Sequence, residues 1–425
     1  MVNPTIKLPR VYFTISFNEK ELRIFYIYNI NMSIQIHNKY STSQPFHIYY
    51  DLQMINNNTG APNTAPVNFT YQETRNSPFL DCPSNYFMSV VRFQVQTPTL
   101  PVFIPQMLLG QSDVNKTAYS ITLSYTYLGV VYDFQQYISY INYDLVEPAP
   151  ASLSLSTITS QYYYVYSYQQ WVGMINNAFI SAHAGLNALV VSAGGTLPSN
   201  KPPFCQFDPY SLLMTINSDI LGYNQSLASP IRIYFNSALY SLYSNFQWTF
   251  SASGYNTNLG KNFLLTVENN TFSNVYVVPA TPTWNALQSY QEGSTASLLN
   301  PVESIVFTSG LLPVVNENVG LPSLNQAGLS SSNGNNSNIS PIITDFQVPL
   351  SALNRYLPDI QYTPAGEYRL IDLYGDSPLS RFEVSVFWKD TFGILHPLLL
   401  GPGCSASMKV MFRRRDYASG KLFGM

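Results

Sequence analysis

The chain has 425 residues, a formal net charge of −3 and only 10% charged residues, against 33 Tyr, 25 Phe and 29 Pro. That length allows two domains, or one large β-rich domain with an insertion, burying roughly 75% of the extended surface without staples. So few charges and so many aromatics exclude a disordered chain, and the Asn, Ser, Thr, Gln and Tyr that replace them suit a surface that packs against another protein or a sugar.

The first stretch, "MVNPTIKLPRVYFTISFNEKELRIFYIYNINMS", breaks its apolar runs with Glu19, Lys20, Glu21 and Arg23. A cleavable signal peptide is not expected there. Nor is a membrane span expected anywhere, because no apolar run reaches roughly 18 residues. Regular patterning begins after Met32, so residues 1–32 read as an arm, or as an upstream extension of the reading frame.

Residues 33–146 read as a first set of strands: "FHIYYDLQMI", "VNFTYQE", "YFMSVVRFQV", "LPVFIPQML" and "YSITLSYTYLGVVYDFQQYI". In the last, Ile121, Leu123, Tyr125 and Tyr127 fall on one face and Ser120, Thr122, Ser124 and Thr126 on the other, the pattern of a half-buried strand. Turn formers about every ten residues give the spacing of a β-sandwich or barrel. Residues 147–260 differ. After a Pro/Ser/Thr loop and the aromatic run "QYYYVYSY", Trp171, Ile175, Ala178, Phe179, Ala182 and Leu186 recur at helical spacing. The spacing predicts a helix over about 168–190, ending near Gly194 and Gly195. A hairpin around Pro209, a strand "IRIYF" and a short helix capped by Asn236 follow. Only Lys201 is basic between Lys116 and Arg232, which excludes a phosphate-binding surface in this region.

Residues 261–425 return to strands, interrupted by a low-complexity tract at 324–340 that is expected to be exposed and mobile. In "RFEVSVFWKD", Phe382, Val384, Val386 and Trp388 share a face. In "SMKVMFRRR", Met408, Val410 and Phe412 form the buried face of a last strand. The arginine triplet there, Arg413, Arg414 and Arg415 with Lys409 upstream, reads either as a solvated strand end, offset by Asp416, or as a contact to nucleic acid. Residues from Arg369 onward include eight Lys or Arg and five Asp or Glu, so this end is net positive. One triplet neutralises only a few phosphates, so its charge matters only if many copies line one surface.

Catalytic patterns are not found. The histidines His37, His47, His183 and His396 are scattered, and Cys82, Cys205 and Cys404 form no CxxC pair. No metal or cofactor is expected, and the cysteines read as buried free thiols. A glycosidase would need two facing carboxylates. The acids Glu367, Asp372 and Asp376 are more simply ion-pair partners for Arg369 and Arg381. Tyr162, Tyr163, Tyr164 and Tyr166 read as core, as subunit-interface aromatics or as a sugar-stacking platform.

Three stretches, "NSPFLDCPSNYFMSVVRFQV", "GEYRLIDLYGDSPLSRFEVSVFWKDTFGILHPLLL" and "SASMKVMFRRRDY", resemble the penton or minor capsid proteins of polinton-like viruses, adintoviruses and virophages. The resemblance implies a mainly β fold: a jelly-roll β-sandwich built from both chain ends, with an inserted domain containing one or two helices. It implies a structural capsid protein and not an enzyme, assembled inside the host cell into an icosahedral virion. The expected partners are its own copies in a homopentamer, the major capsid protein and viral genomic DNA on the inner face. The length also fits a tandem double jelly roll, as in major capsid proteins of the same viruses. A carbohydrate-binding β-sandwich, a lectin or attachment protein, is the principal alternative, since fold alone does not fix function.

Overall fold

The computed structural model describes residues 45–57, 67–96, 100–145, 147–153, 160–251, 260–271, 273–315, 325–326, 329–330, 341–348, 359–364, 369–390 and 393–415. The arm at 1–32, nearly all of the 324–340 tract, Glu367 and Asp416 lie outside them.

Period-two patterning builds the first core. Along Arg381–Asp390 every second side chain, from Phe382 to Asp390, is buried. One antiparallel sheet runs in the order His47–Ile55, Ser405–Arg414, Tyr86–Gln96, Asp359–Tyr362, with Ile371–Asp372 also on Tyr86–Gln96. A second runs Ile342–Gln347, Val302–Thr308, Arg381–Asp390, Leu395–Pro397, with Thr70–Thr74 also on Arg381–Asp390. Their inner faces share one hydrophobic cluster. Tyr50 meets Phe382 and Phe93 meets Phe307, each edge-on with centroids 5.0 Å apart, the arrangement aromatic quadrupoles favour. The first strand, His47–Ile55, pairs residue for residue with the last, Ser405–Arg414. That pairing overturns the tandem alternative, in which each half of the chain would close its own sandwich.

A second cluster is drawn from residues 103–299. Its sheets run Trp248–Phe250, Phe263–Leu265, Arg232–Phe235, Lys116–Tyr127, Val130–Ser139, and Ser273–Val278, Trp284–Tyr290, Leu213–Asp219, Phe204–Asp208. The hairpin Lys116–Ser139, grouped by sequence with the first sandwich strands, therefore belongs to the core that holds the helix. Its own turn is two residues, Leu128 and Gly129, at φ 49° and 80°. Both are left-handed, as the twist of a tight hairpin requires. The half-buried reading of Lys116–Tyr127 is also corrected: Ser120, Thr122 and Ser124 are buried too. Gln135 donates to Ser120 Oγ at 2.8 Å, and Gly260 lies so close to Thr122 and Gln135 that a Cβ there would overlap them.

The long helix spans Tyr168–Ser192. Ser167 caps it by accepting from the Gln170 amide at 3.2 Å. Gly194, at φ 77°, ends it, with Gly194 N bonding Val191 O and Gly195 N bonding Val190 O. By length and composition it could cross a membrane, a property the run-length reading missed. Here Trp171, Ile175, Phe179, Ala182 and Leu186 are buried in the second cluster. Each such large apolar side chain contributes about 1.5–3 kcal/mol.

Two local expectations change. "LPVFIPQML" is no strand but makes only isolated bridges, Phe103 to Val165 and Met107 to Thr117, because Pro101 and Pro105 lack the N–H a ladder needs. Asn236 does not cap Ser237–Leu239 with its side chain. Its amide instead clasps a strand, accepting from Ser120 N at 3.1 Å and donating to Ala118 O at 2.7 Å.

Candidate assembly surface

In Ser405–Arg414 the residues Ala406, Met408, Val410 and Phe412 enter the sandwich, so Lys409 and Arg413 stand on the opposite face. Lys409 lies between Asp51 and Arg92 of the flanking strands. Arg92 grips Asp51 at 2.9 Å, and the Lys409 ammonium sits 5.5 Å from the Tyr49 ring. The end of the strand is tucked in. Arg414 is only 7% exposed, with its guanidinium 6.0 Å from the Phe46 ring and its backbone N–H donating to Phe46 O at 2.9 Å. Arg415 pairs with Asp372 at 2.8 Å, donates to Leu373 O at 3.0 Å and lies 4.7 Å over Phe87. The triplet is thus not uniformly a solvated strand end: Arg414 is buried, Arg415 is part-exposed and held by Asp372, and Lys409 and Arg413 are part-exposed on the outer face.

The expected ion pairs also change hands. Arg369 binds Asp345 at 3.0 Å, Asp372 belongs to Arg415, and Asp376 accepts from Ser84 Oγ at 2.9 Å.

The tyrosine run is core. A single 3-10 turn, Gln161–Tyr163, folds successive rings inward, so Tyr162, Tyr163 and Tyr164 are all buried and Tyr166 is half-buried. Tyr162 donates to Asn115 Oδ1 at 3.2 Å and Tyr163 to Val114 O at 3.0 Å. Burial pushes the phenols of Tyr163 and Tyr166 up to about 12. Of the three readings of this run, core, subunit interface and sugar platform, the burial of Tyr162, Tyr163 and Tyr164 matches core, and Tyr166 stays half-buried.

Tyr164 does something different from its neighbours. Its ring joins the sandwich cluster, while Tyr163 and Val165 on either side join the other. Its hydroxyl meets His396 Nδ1 at 3.1 Å, and His396 Nε2 donates to Asp390 Oδ2 at 2.9 Å. The imidazole stacks on Trp388 with centroids 4.1 Å apart. Both ring nitrogens are therefore occupied by structural partners. Sequence reasoning saw His396 as structural but missed this link; Asp390 and His396, six residues apart across the "KDTFG" turn, were its one visible trace.

Among the described residues the remaining His and Cys side chains form no cluster that could serve as a reaction centre. His183 donates from Nε2 to Ser199 O at 3.1 Å, and burial lowers its pKa. Of the three thiols only Cys205 is fully buried, which pushes it up to about 12; Cys82 and Cys404 are partly exposed, against expectation. Among the described residues no group of three or more His, Cys, Asp or Glu could hold a metal.

Comparison with known proteins gives a consistent result. The chain is 27% identical over 197 residues to structural protein V19 of Sputnik virophage, covering 46% of this chain and 86% of that protein. It is 31% identical over 151 residues to protein V18 of the same virophage, covering 35% of this chain and 88% of that one. A chain in the 3.5 Å cryo-EM structure of the Sputnik virophage superposes with a TM-score of 0.69 at 26% identity, over 88% of this chain and 99% of that chain. The mavirus penton protein shares the fold, with a TM-score of 0.55 at 17% identity over 87% of this chain and 99% of that one. Residues 48–414 match the Sputnik minor capsid protein V18/19 family, so the chain belongs to that family and is a structural, non-enzymatic protein of the virion capsid.

Proposed function

We propose that this minor capsid protein is the pentameric vertex subunit of an icosahedral virion, closing rings with its own copies and docking to the major capsid protein. The observation that carries the reading is the fold shared with the mavirus penton protein over 99% of that chain. In this reading the described residues of 46–100 and 300–415 form the jelly roll, and those of 101–299 form an insertion facing away from the particle. Closed symmetry multiplies each lateral contact, so individual contacts can be weak. A surface with few charges places little like-charge repulsion between identical neighbours. Val275 and Val277, 49% and 58% exposed on the edge strand Ser273–Val278, are suited to such a contact. Lys409 and Arg413 would meet the genome or an acidic patch of a neighbouring capsid protein.

Negative-stain microscopy of the purified protein tests this. Five-membered rings are expected, alone or with the major capsid protein; a stable monomer at micromolar concentration in both cases would falsify it. Substituting Lys409 and Arg413 by Gln should reduce vertex incorporation or genome packaging while leaving the melting temperature in place.

A further inference from the structure

The sheet Ser273–Val278, Trp284–Tyr290, Leu213–Asp219, Phe204–Asp208 turns one face to the second core, burying Cys205, Phe207, Met214, Ile216 and Leu287. Its other face is lined by amides and aromatics. Register puts Gln206, Thr215 and Tyr290 in one row, and Phe204, Asn217, Gln288 and Asn274 in the next. Over this face runs a groove of about 700 Å³, walled on one side by Gln169, Val172 and Asn176 of the long helix. A second groove of about 540 Å³, holding Trp284 and Lys201, shares Asn176 and Phe204 with it, so the two adjoin and are taken together as a trough.

Hydrogen bonds fix the amides in one direction. Asn274 Nδ2 donates to the Tyr290 hydroxyl at 3.0 Å, and that hydroxyl donates to Gln288 Oε1 at 2.8 Å. Asn217 Nδ2 at 3.0 Å and Gln288 Nε2 at 3.4 Å then both donate to Gln206 Oε1. With its oxygen engaged twice, Gln206 keeps its Nε2 protons for the groove. Asn217 Oδ1, buried beside this relay, has no hydrogen-bond partner.

We propose that this trough is a carbohydrate-binding site for a neutral, hydroxyl-rich oligosaccharide. The size lies within the range of ligand clefts. The chemistry matches sugars, which present alternating donors and acceptors on one side and C–H patches on the other: the amide relay meets the first, and Trp284 and Phe204 the second. Lys201 and Asp208 are the charged side chains that line it. Both are already engaged, Lys201 4.7 Å from the Trp284 ring and Asp208 by Ser211 and Tyr210 of its own turn. An acidic ligand would find one positive charge, Lys201, set against the carboxylate of Asp208. This site depends on the insertion alone and stands whether or not the protein forms pentamers.

The test is binding of the full chain to an array of neutral, sulfated and sialylated oligosaccharides, followed by titration calorimetry with the best neutral ligand. Gln206→Ala and Trp284→Ala should each weaken binding about tenfold, as expected for one lost ligand hydrogen bond or stacking contact. Gln206→Glu keeps the side-chain size and removes the Nε2 donors, so it should lose binding equally with an unchanged melting temperature; this covers the case in which an alanine variant misfolds. Absence of any neutral ligand, capture of acidic glycans only, or neutral binding that Gln206→Glu leaves within about twofold would each overturn the assignment.

Discussion

At the residue scale, two contacts that look alike on paper carry different weights. His396 and Asp390 are both nearly enclosed, with side chains 11% and 6% exposed, whereas Arg415 and Asp372 are 36% and 60% exposed. Removing the imidazole leaves the enclosed Asp390 carboxylate with a hydrogen bond missing, so His396→Ala should cost about 3 kcal/mol. Arg415→Ala should cost less than about 1 kcal/mol, because solvent screens the pair. Urea unfolding of both variants checks the ranking, and equal losses would contradict it. The same contrast explains what was legible in the sequence. A histidine between two apolar strands reads as structural from its neighbours. The burial of Arg414 could not be read, since Phe46, Phe87 and Asp372, which hold the end of that strand, lie tens to hundreds of residues away in the chain.

At the element scale, the long helix was legible almost to its ends because one chain segment carries its periodicity, its Ser cap and its terminal glycines. What it packs against was not. Gly185 faces Phe134 of the neighbouring hairpin so closely that a Cβ would overlap the ring. Gly→Ala within a helix ordinarily stabilises by about 1 kcal/mol. Here Gly185→Ala should destabilise instead, and combining it with Phe134→Leu should recover much of the loss. A double-mutant cycle on melting temperature measures the coupling. The helix also carries a pH effect. Burial holds the pKa of His183 below its ordinary 6.5, so the unfolded chain takes up this proton more readily than the folded one. Stability from this group is complete above 6.5 and falls as pH drops below it. His183→Gln should flatten the melting temperature between about pH 7 and pH 5 relative to the parent protein. A parallel decline in both would place the acid sensitivity elsewhere.

At the scale of the whole molecule, periodicity identified strands at both ends and a helix between them, but it could not assign the hairpin Lys116–Ser139 to a core. Strand alternation is the same in either sheet. The partner that decides it, Arg232–Phe235, lies about a hundred residues later. The same blindness hid how the two cores are joined. Tyr164 is placed in the sandwich cluster by a segment whose adjacent residues belong to the other cluster. The hydroxyl of Tyr140, from the second cluster, bonds to the Tyr164 carbonyl at 3.0 Å, and Tyr164 itself reaches His396 across the boundary. Cooperative unfolding of two cores requires that disrupting one raise the free energy of the other, and this ring with its two hydrogen bonds is a compact means of doing so. Tyr164→Phe removes the bond to His396 but keeps the ring and the backbone bond, and should lower the melting temperature while preserving a single transition. Tyr164→Ala also removes the ring, at a cost of about 3–5 kcal/mol for a large buried aromatic. It should split the calorimetric trace into two transitions, the sandwich melting first because it loses the buried ring. If Tyr164→Ala still melts in one step, coupling between the cores resides in the wider packing along their boundary and not in this side chain.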